Sequence, residues 1–156
     1  MSAVEDRLAA LGLSVPEVAA PVAAYIPALQ SGEHVYTSGQ LPMVSGALAA
    51  TGKVGEGEGL VSPGRAKELA ATCALNAIAA VKSVVGDLDR VTRVVKVVGF
   101  VASAPEFTGQ PGVINGASEL LAAAFGDAGV HARSAVGVAV LPLDAPVEVE
   151  IVVAVS

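Results

Sequence analysis

The chain has 156 residues, enough for one domain with a substantial core. Nine Lys and Arg against fifteen Asp and Glu leave a net charge of −6, which argues against broad attraction to nucleic acid or to anionic membrane. Hydrophobic residues make up 53% and aromatics only 3%, so the apolar excess is Ala and Val, and side chains this small must pack closely to bury much surface. The apolar uncharged runs 18–30 and 69–81 are too short to span a bilayer and are broken by Pro or polar residues, so no membrane helix is predicted. The opening Met-Ser-Ala-Val-Glu-Asp-Arg lacks the basic-then-apolar order of a secretory signal, and the expected location is cytoplasmic. A single cysteine, Cys73, leaves no internal disulfide and no cysteine metal cluster. A chain this apolar is expected to cover part of its surface with copies of itself.

Residues 2–11 read as a short helix, capped by Ser2 with Glu5 in capping-box position, striped by Val4, Leu8 and Leu11, and ended by Gly12. With the following residues to 17 it forms an N-terminal extension, expected to be an appendage. Pro16, Pro21 and Pro27 impose an extended path, so 23–29, which holds Tyr25, is at best an edge strand. Ser31-Gly32-Glu33 is a turn. His34 to Gly39 then alternates as a strand whose end offers the Ser38 hydroxyl and the bare Gly39 amide before Pro42. Residues 45–59 carry five glycines and read as a mobile loop or hairpin. The Gly-Glu-Gly-Glu-Gly run at 55–59 follows no strand, and its glutamates would repel a phosphate.

The strongest helix starts at Ser62 as N-cap with Pro63 behind it and stops at Gly86. Ala66, Leu69, Ala70, Cys73, Ala74, Ala77, Ile78, Val81 and Val85 recur along it at three- and four-residue spacing, so Cys73 reads as a core residue. Residues 91–101 suit an interior strand, on which Lys96 must reach an edge or a partner. A second helix runs from near Pro111 to Phe125, turning Val113, Ile114, Ala117, Leu120, Leu121 and Ala124 inward; Asn115 in its first turn either caps or points at a cleft.

Two strands follow, 133–141 and 147–154, around a turn with Pro142, Asp144 and Pro146. On the first, Ser134, Val136, Val138 and Val140 form the face expected to meet the helices. Arg133, Ala135, Gly137 and Ala139 form a small-residue face, expected to wall a subunit interface. On the second, Val147, Val149, Ile151 and Val153 alternate with Glu148, Glu150, Val152 and Ala154. His131 precedes a strand and His34 opens one; both read as surface residues and make no metal motif. The order β-β-α-β-α-β-β, undivided by repeat or linker, predicts one α+β domain over residues 1–156 with both helices on one face of the sheet.

Thr37-Ser-Gly-Gln-Leu-Pro42, Asn115, Ala132-Arg-Ser-Ala-Val136, Leu141-Pro142 and Val147-Glu-Val-Glu150 stand in an order and spacing that resembles the Rid (reactive intermediate deaminase, or YjgF-like) family, over residues 22–154. The resemblance implies a chorismate-mutase-like sandwich with a mixed sheet, and a homotrimer with sites in the clefts between subunits. It further implies hydrolysis of amino-acid-derived enamines or imines to 2-keto acids and ammonia, without metal or cofactor. By the same resemblance Arg133 grips the substrate carboxylate and Glu150 holds or activates water. Ser38, Gly39, Tyr25 and Asn115 then line the site, and Ala135 stands where better-known members carry Cys. Ala23-Ala24 replaces the Gly-Pro that precedes the tyrosine, and the N-terminal extension and the 45–59 segment mark a longer branch of the family.

The residue types suit that chemistry. A guanidinium offers a bidentate fork to a carboxylate, a carboxylate can orient water and move a proton, and a bare amide such as Gly39 can face developing negative charge. If the last two strands formed a simple hairpin, Glu150 would lie about five residues, roughly 16 Å, along the strand from Arg133. The two groups then meet only across subunits or through another strand pairing. A trimer that binds a small carboxylate without turnover is the alternative. An endoribonuclease is disfavoured by the acidic balance and the lack of a basic or aromatic stripe.

Overall fold

Ser2 caps the first helix, α1 (Ala3–Ala10), in a full capping box with Glu5. The first two strands, β1 (Ala28–Ser31) and β2 (His34–Thr37), turn tightly at Gly32, and β3 (Met43–Val44) and β4 (Ala47–Leu48) form a small separate hairpin. The long helix α2 (Pro63–Val85) is capped by Ser62 and ends at Gly86, in the left-handed region as a helix stop requires. It leads to β5 (Val91–Ala102), α3 (Gln110–Phe125), β6 (Ala132–Val138) and β7 (Val147–Val155). The computed structural model describes residues 1–20 and 23–156; Pro21 and Val22, one of the three spaced prolines and the start of the resembling stretch, lie outside the described residues.

The main sheet has five strands in the order β1-β2-β7-β5-β6. All neighbours are antiparallel except β5 and β6, which run parallel because α3 crosses over between them. The fold is thus the mixed α+β sandwich expected, with one correction: the last two strands are no hairpin, since β5 lies between them. The burial pattern accounts for this. Val147, Val149, Ile151 and Val153 of β7 are all buried and demand a central place, whereas β6 is at most half-buried throughout and tolerates the edge.

A second correction concerns the faces of β6. Arg133, Ala135 and Gly137 stand in register with Val97, Gly99 and Val101 and face the helices; Ser134 and Val136 face away, Val136 being 44% exposed. The small residues are what let α3 approach: a Cβ on Gly99 would lie 2.5 Å from Ile114, and one on Gly137 2.7 Å from Gln110. The outer face of the sheet therefore carries Leu29, Tyr36 and Val136, all exposed, beside half-buried Val98, Phe100 and Val152. Lys96 lies there too, opposite Val152 and Ala132.

The core lies between the inner sheet face and the α2/α3 layer, and Cys73 is fully buried within it. Although α2 is long and apolar enough to cross a membrane, its apolar stretch is mostly buried against this sheet. The N-terminal and glycine-rich segments are both tied to the body of the fold. The helix α1 is no appendage, for Val4 and Leu8 join the core, Glu5 pairs with Lys82 of α2, and Arg7 donates to the Ala124 carbonyl at 3.2 Å. The glycine-rich segment is pinned through Val54, fully buried, whose amide donates to Ala102 O (2.7 Å) and whose carbonyl accepts from Ala104 N (2.9 Å).

Candidate functional site

The expected site residues fall into two groups, one at the free edge of β6 and one where β2 runs out against β7. At the β6 edge Arg133 projects onto the first turns of α3. Its Nη1 donates to Asn115 Oδ1 at 2.8 Å and to Ser118 Oγ at 3.2 Å, and its Nη2 to the Pro111 carbonyl at 3.2 Å. Asn115 thus serves the arginine and does not cap the helix, whose N-cap Gly109 makes no side-chain bond. All three acceptors are neutral, and among the described residues no carboxylate lies within ion-pair distance of Arg133. His131, expected at the surface, is half-buried: its Nε2 lies 2.9 Å from Ser118 Oγ and its Nδ1 2.6 Å from the Gly129 carbonyl. Ala135 sits on the same face as Arg133, packed against the core.

The second group is made by an irregularity. Tyr36 pairs with Val152, yet Gln40 pairs with Val149, so one strand carries an extra residue between these points and bulges at Ser38-Gly39. Ser38 Oγ donates to the Ile26 carbonyl at 2.6 Å and its amide to Pro27 O at 2.8 Å, which ties down the segment bearing Tyr25. Tyr25 and Gly39 line a cavity of about 40 Å³ with Pro27, Gln40, Leu41 and Met43. Over Gly39 lies Glu148, so close that a Cβ at position 39 would stand 1.9 Å from its Oε1. Burial, then the like charge of Glu150, raises the Glu148 carboxyl above its ordinary value. Glu150 stands on the same outer face, opposite Val98, and Glu148 opposite Phe100.

The structure therefore brings Arg133 together with Asn115, and Tyr25 together with Ser38 and Gly39, but it separates the two groups. Arg133 aligns through Val97 with Ile151 and points to the helix side, whereas Glu148 and Glu150 point to the outer side of the same sheet. Ser118 carried no expectation and His131 was read as a surface residue, although the spacing held a signal: Ser118 follows Asn115 by one helical turn, and His131 precedes Arg133 by one strand repeat. Glu148 was visible only as the face-mate of Glu150. Among the described residues no group of three or more His, Cys, Asp or Glu is placed to hold a metal ion.

Comparison with known proteins agrees with this architecture. Residues 5–154 match the model of the YjgF/chorismate mutase-like family, whose description includes a provisional endoribonuclease label. The protein TCP17 of Trypanosoma cruzi is 44% identical over 151 residues, covering 96% of this chain and 92% of its own. The crystal structure of Atu1372 from Agrobacterium tumefaciens, a protein of unknown function, superposes with a TM-score of 0.90 at 45% identity, covering 99% of this chain and 93% of that one. A Shewanella oneidensis MR-1 protein with a provisional endoribonuclease label superposes with a TM-score of 0.93 at 32% identity, covering 97% and 99%. With the family model spanning nearly the whole chain and these relatives matching it end to end, this protein belongs to the YjgF/chorismate mutase-like family.

Proposed function

We propose that the protein hydrolyses reactive enamine and imine intermediates derived from amino acids to 2-keto acids and ammonia, in a cleft between subunits of a homotrimer. Arg133 is the observation that carries this. Its guanidinium is held by three neutral acceptors, its charge is left uncompensated among the described residues, and it stands beside the uncapped first turn of α3. Such a cation is matched to an anion, and its planar fork to a carboxylate.

For a substrate such as 2-aminoacrylate, protonation at the methylene carbon converts the enamine to the imine. Water then adds to the C=N carbon while giving up a proton, and the nitrogen leaves as ammonia once it is protonated, so that a keto acid remains. Arg133 holds the carboxylate and with it the electrophilic carbon. The group we assign to water and proton exchange is Glu148, in preference to Glu150: it lies over Gly39 in the bulge, and its raised proton affinity suits exchange nearer neutrality. Since Arg133 and Glu148 point to opposite sides of one sheet, the site requires Arg133 of one protomer and Glu148 of another. The exposed Leu29, Tyr36 and Val136 are apolar surface of the kind that copies would cover.

The test couples the protein to an enzyme that releases 2-aminoacrylate and follows the intermediate. Wild type speeds its loss, and Arg133→Ala lowers kcat/KM by about 100-fold or more. If wild type has no effect while pyruvate still binds at Arg133, the protein is a carboxylate-binding trimer and the hydrolytic proposal falls.

A further inference from the structure

We infer that Ser118 and His131 are positioning residues for Arg133, links in a one-way hydrogen-bond relay that starts at the Gly129 carbonyl and fixes the guanidinium for a carboxylate. The role presupposes the function proposed above; the relay itself can be observed without it. A carbonyl only accepts, so at 2.6 Å the Gly129 oxygen requires the proton of His131 to sit on Nδ1. In neutral His131 the Nε2 is then an acceptor, and the Ser118 hydroxyl at 2.9 Å donates to it. With its only proton committed there, Ser118 Oγ presents lone pairs to Arg133, whose Nη1 donates into one at 3.2 Å. Each bond thus fixes the sense of the next.

The origin of the relay is itself immobile. Gly129 is buried, and a Cβ there would lie 2.5 Å from the Leu121 carbonyl, so its backbone is wedged against α3. The other two acceptors of Arg133, Asn115 Oδ1 and the Pro111 carbonyl, also belong to α3. The helix and the segment that follows it therefore grip the Nη1 and Nη2 side of the fork together. Among the described residues the Nε–H is left without an acceptor. A guanidinium held on one side and open on the other is set to receive a carboxylate with little further loss of freedom.

The experiment follows the Arg133 Nε–H signal by heteronuclear NMR, assigned by its disappearance in Arg133→Lys, together with pyruvate affinity and steady-state kinetics. Ser118→Ala and His131→Leu are expected to broaden or shift that signal in the ligand-free protein. They should weaken pyruvate binding and raise KM by about tenfold, one charged hydrogen bond's worth, while kcat stays within about twofold. His131→Gln, whose amide oxygen can accept from Ser118, should restore both signal and affinity. A signal and affinity unchanged in both Ser118→Ala and His131→Leu overturn the relay, as does a His131→Gln no better than His131→Leu. If the signal responds as expected but wild type consumes no 2-aminoacrylate, the relay stands and the hydrolytic function fails.

Discussion

Two carboxylates among the described residues are shifted from their ordinary values in opposite directions, Glu148 by burial and Glu5 by its hydrogen bond from Lys82. Glu148 is raised above 4.5 by burial and then by Glu150. A raised acid contributes stability that is fully present below 4.5 and is lost as pH climbs through the folded value. At pH 7 the native state therefore carries the burden of a half-buried carboxylate, which Glu148→Gln relieves. That variant is expected to melt higher than wild type at pH 7 while kcat/KM falls by about 10²- to 10⁴-fold. Glu150→Gln removes the second cause, so the acid limb of the pH–rate profile should move to lower pH; a limb that stays in place would unseat Glu148 as the titrating group. Glu5 is the reverse case, held down to about 2 by the hydrogen bond from Lys82 and then by the Ser2 amide. Its contribution is present above 4.5 and vanishes as pH falls toward 2. The stability gap between wild type and Glu5→Gln, measured by urea unfolding, should be open at pH 7 and closed near pH 2.

Among the elements, α3 joins core and site. Gly116 meets α2 so closely that a Cβ would stand 2.0 Å from the Lys67 carbonyl, a backbone atom that cannot swing aside. Gly116→Ala is expected to force the helices apart and lower stability by about 1–3 kcal/mol, read from the urea midpoint. Asn115 and Ser118 flank that contact on the same helix, so the displacement should reach Arg133 and raise KM as well. At the N-terminus, α1 closes the end of the α2/α3 layer with Val4 and Leu8, and Arg7 reaches the last turn of α3.

For the molecule as a whole, the decisive feature is that one sheet presents Arg133 inward and Glu148 outward. If sites form between subunits of a cyclic trimer, Arg133→Ala and Glu148→Gln are each inactive alone but complementary. After the two are unfolded, mixed in equal amounts and refolded, random assembly leaves about a quarter of the interfaces with both native residues, and about a quarter of wild-type activity should return. Mixtures that stay inactive despite verified subunit exchange would place the site within one chain or leave Glu148 out of it.

What the sequence determined alone was local. The capping box at Ser2 and Glu5, the Ser62-Pro63 start and Gly86 stop of α2, and the strict alternation of β7 each act within one turn or one strand, and each is found where it was read. The Rid-like resemblance likewise named Arg133 and Asn115 together, and the structure makes them neighbours in space. Tertiary structure decided which face of β6 the helices cover, because alternation defines two faces without saying which one a helix can approach, and here close approach to Gly99 and Gly137 favoured the smaller. It likewise placed β5 between the last two strands. The different surroundings of Glu148 and Glu150 are of the same kind: two glutamates a strand repeat apart alternate alike in sequence, and only the bulge at Ser38-Gly39 lays a glycine under Glu148.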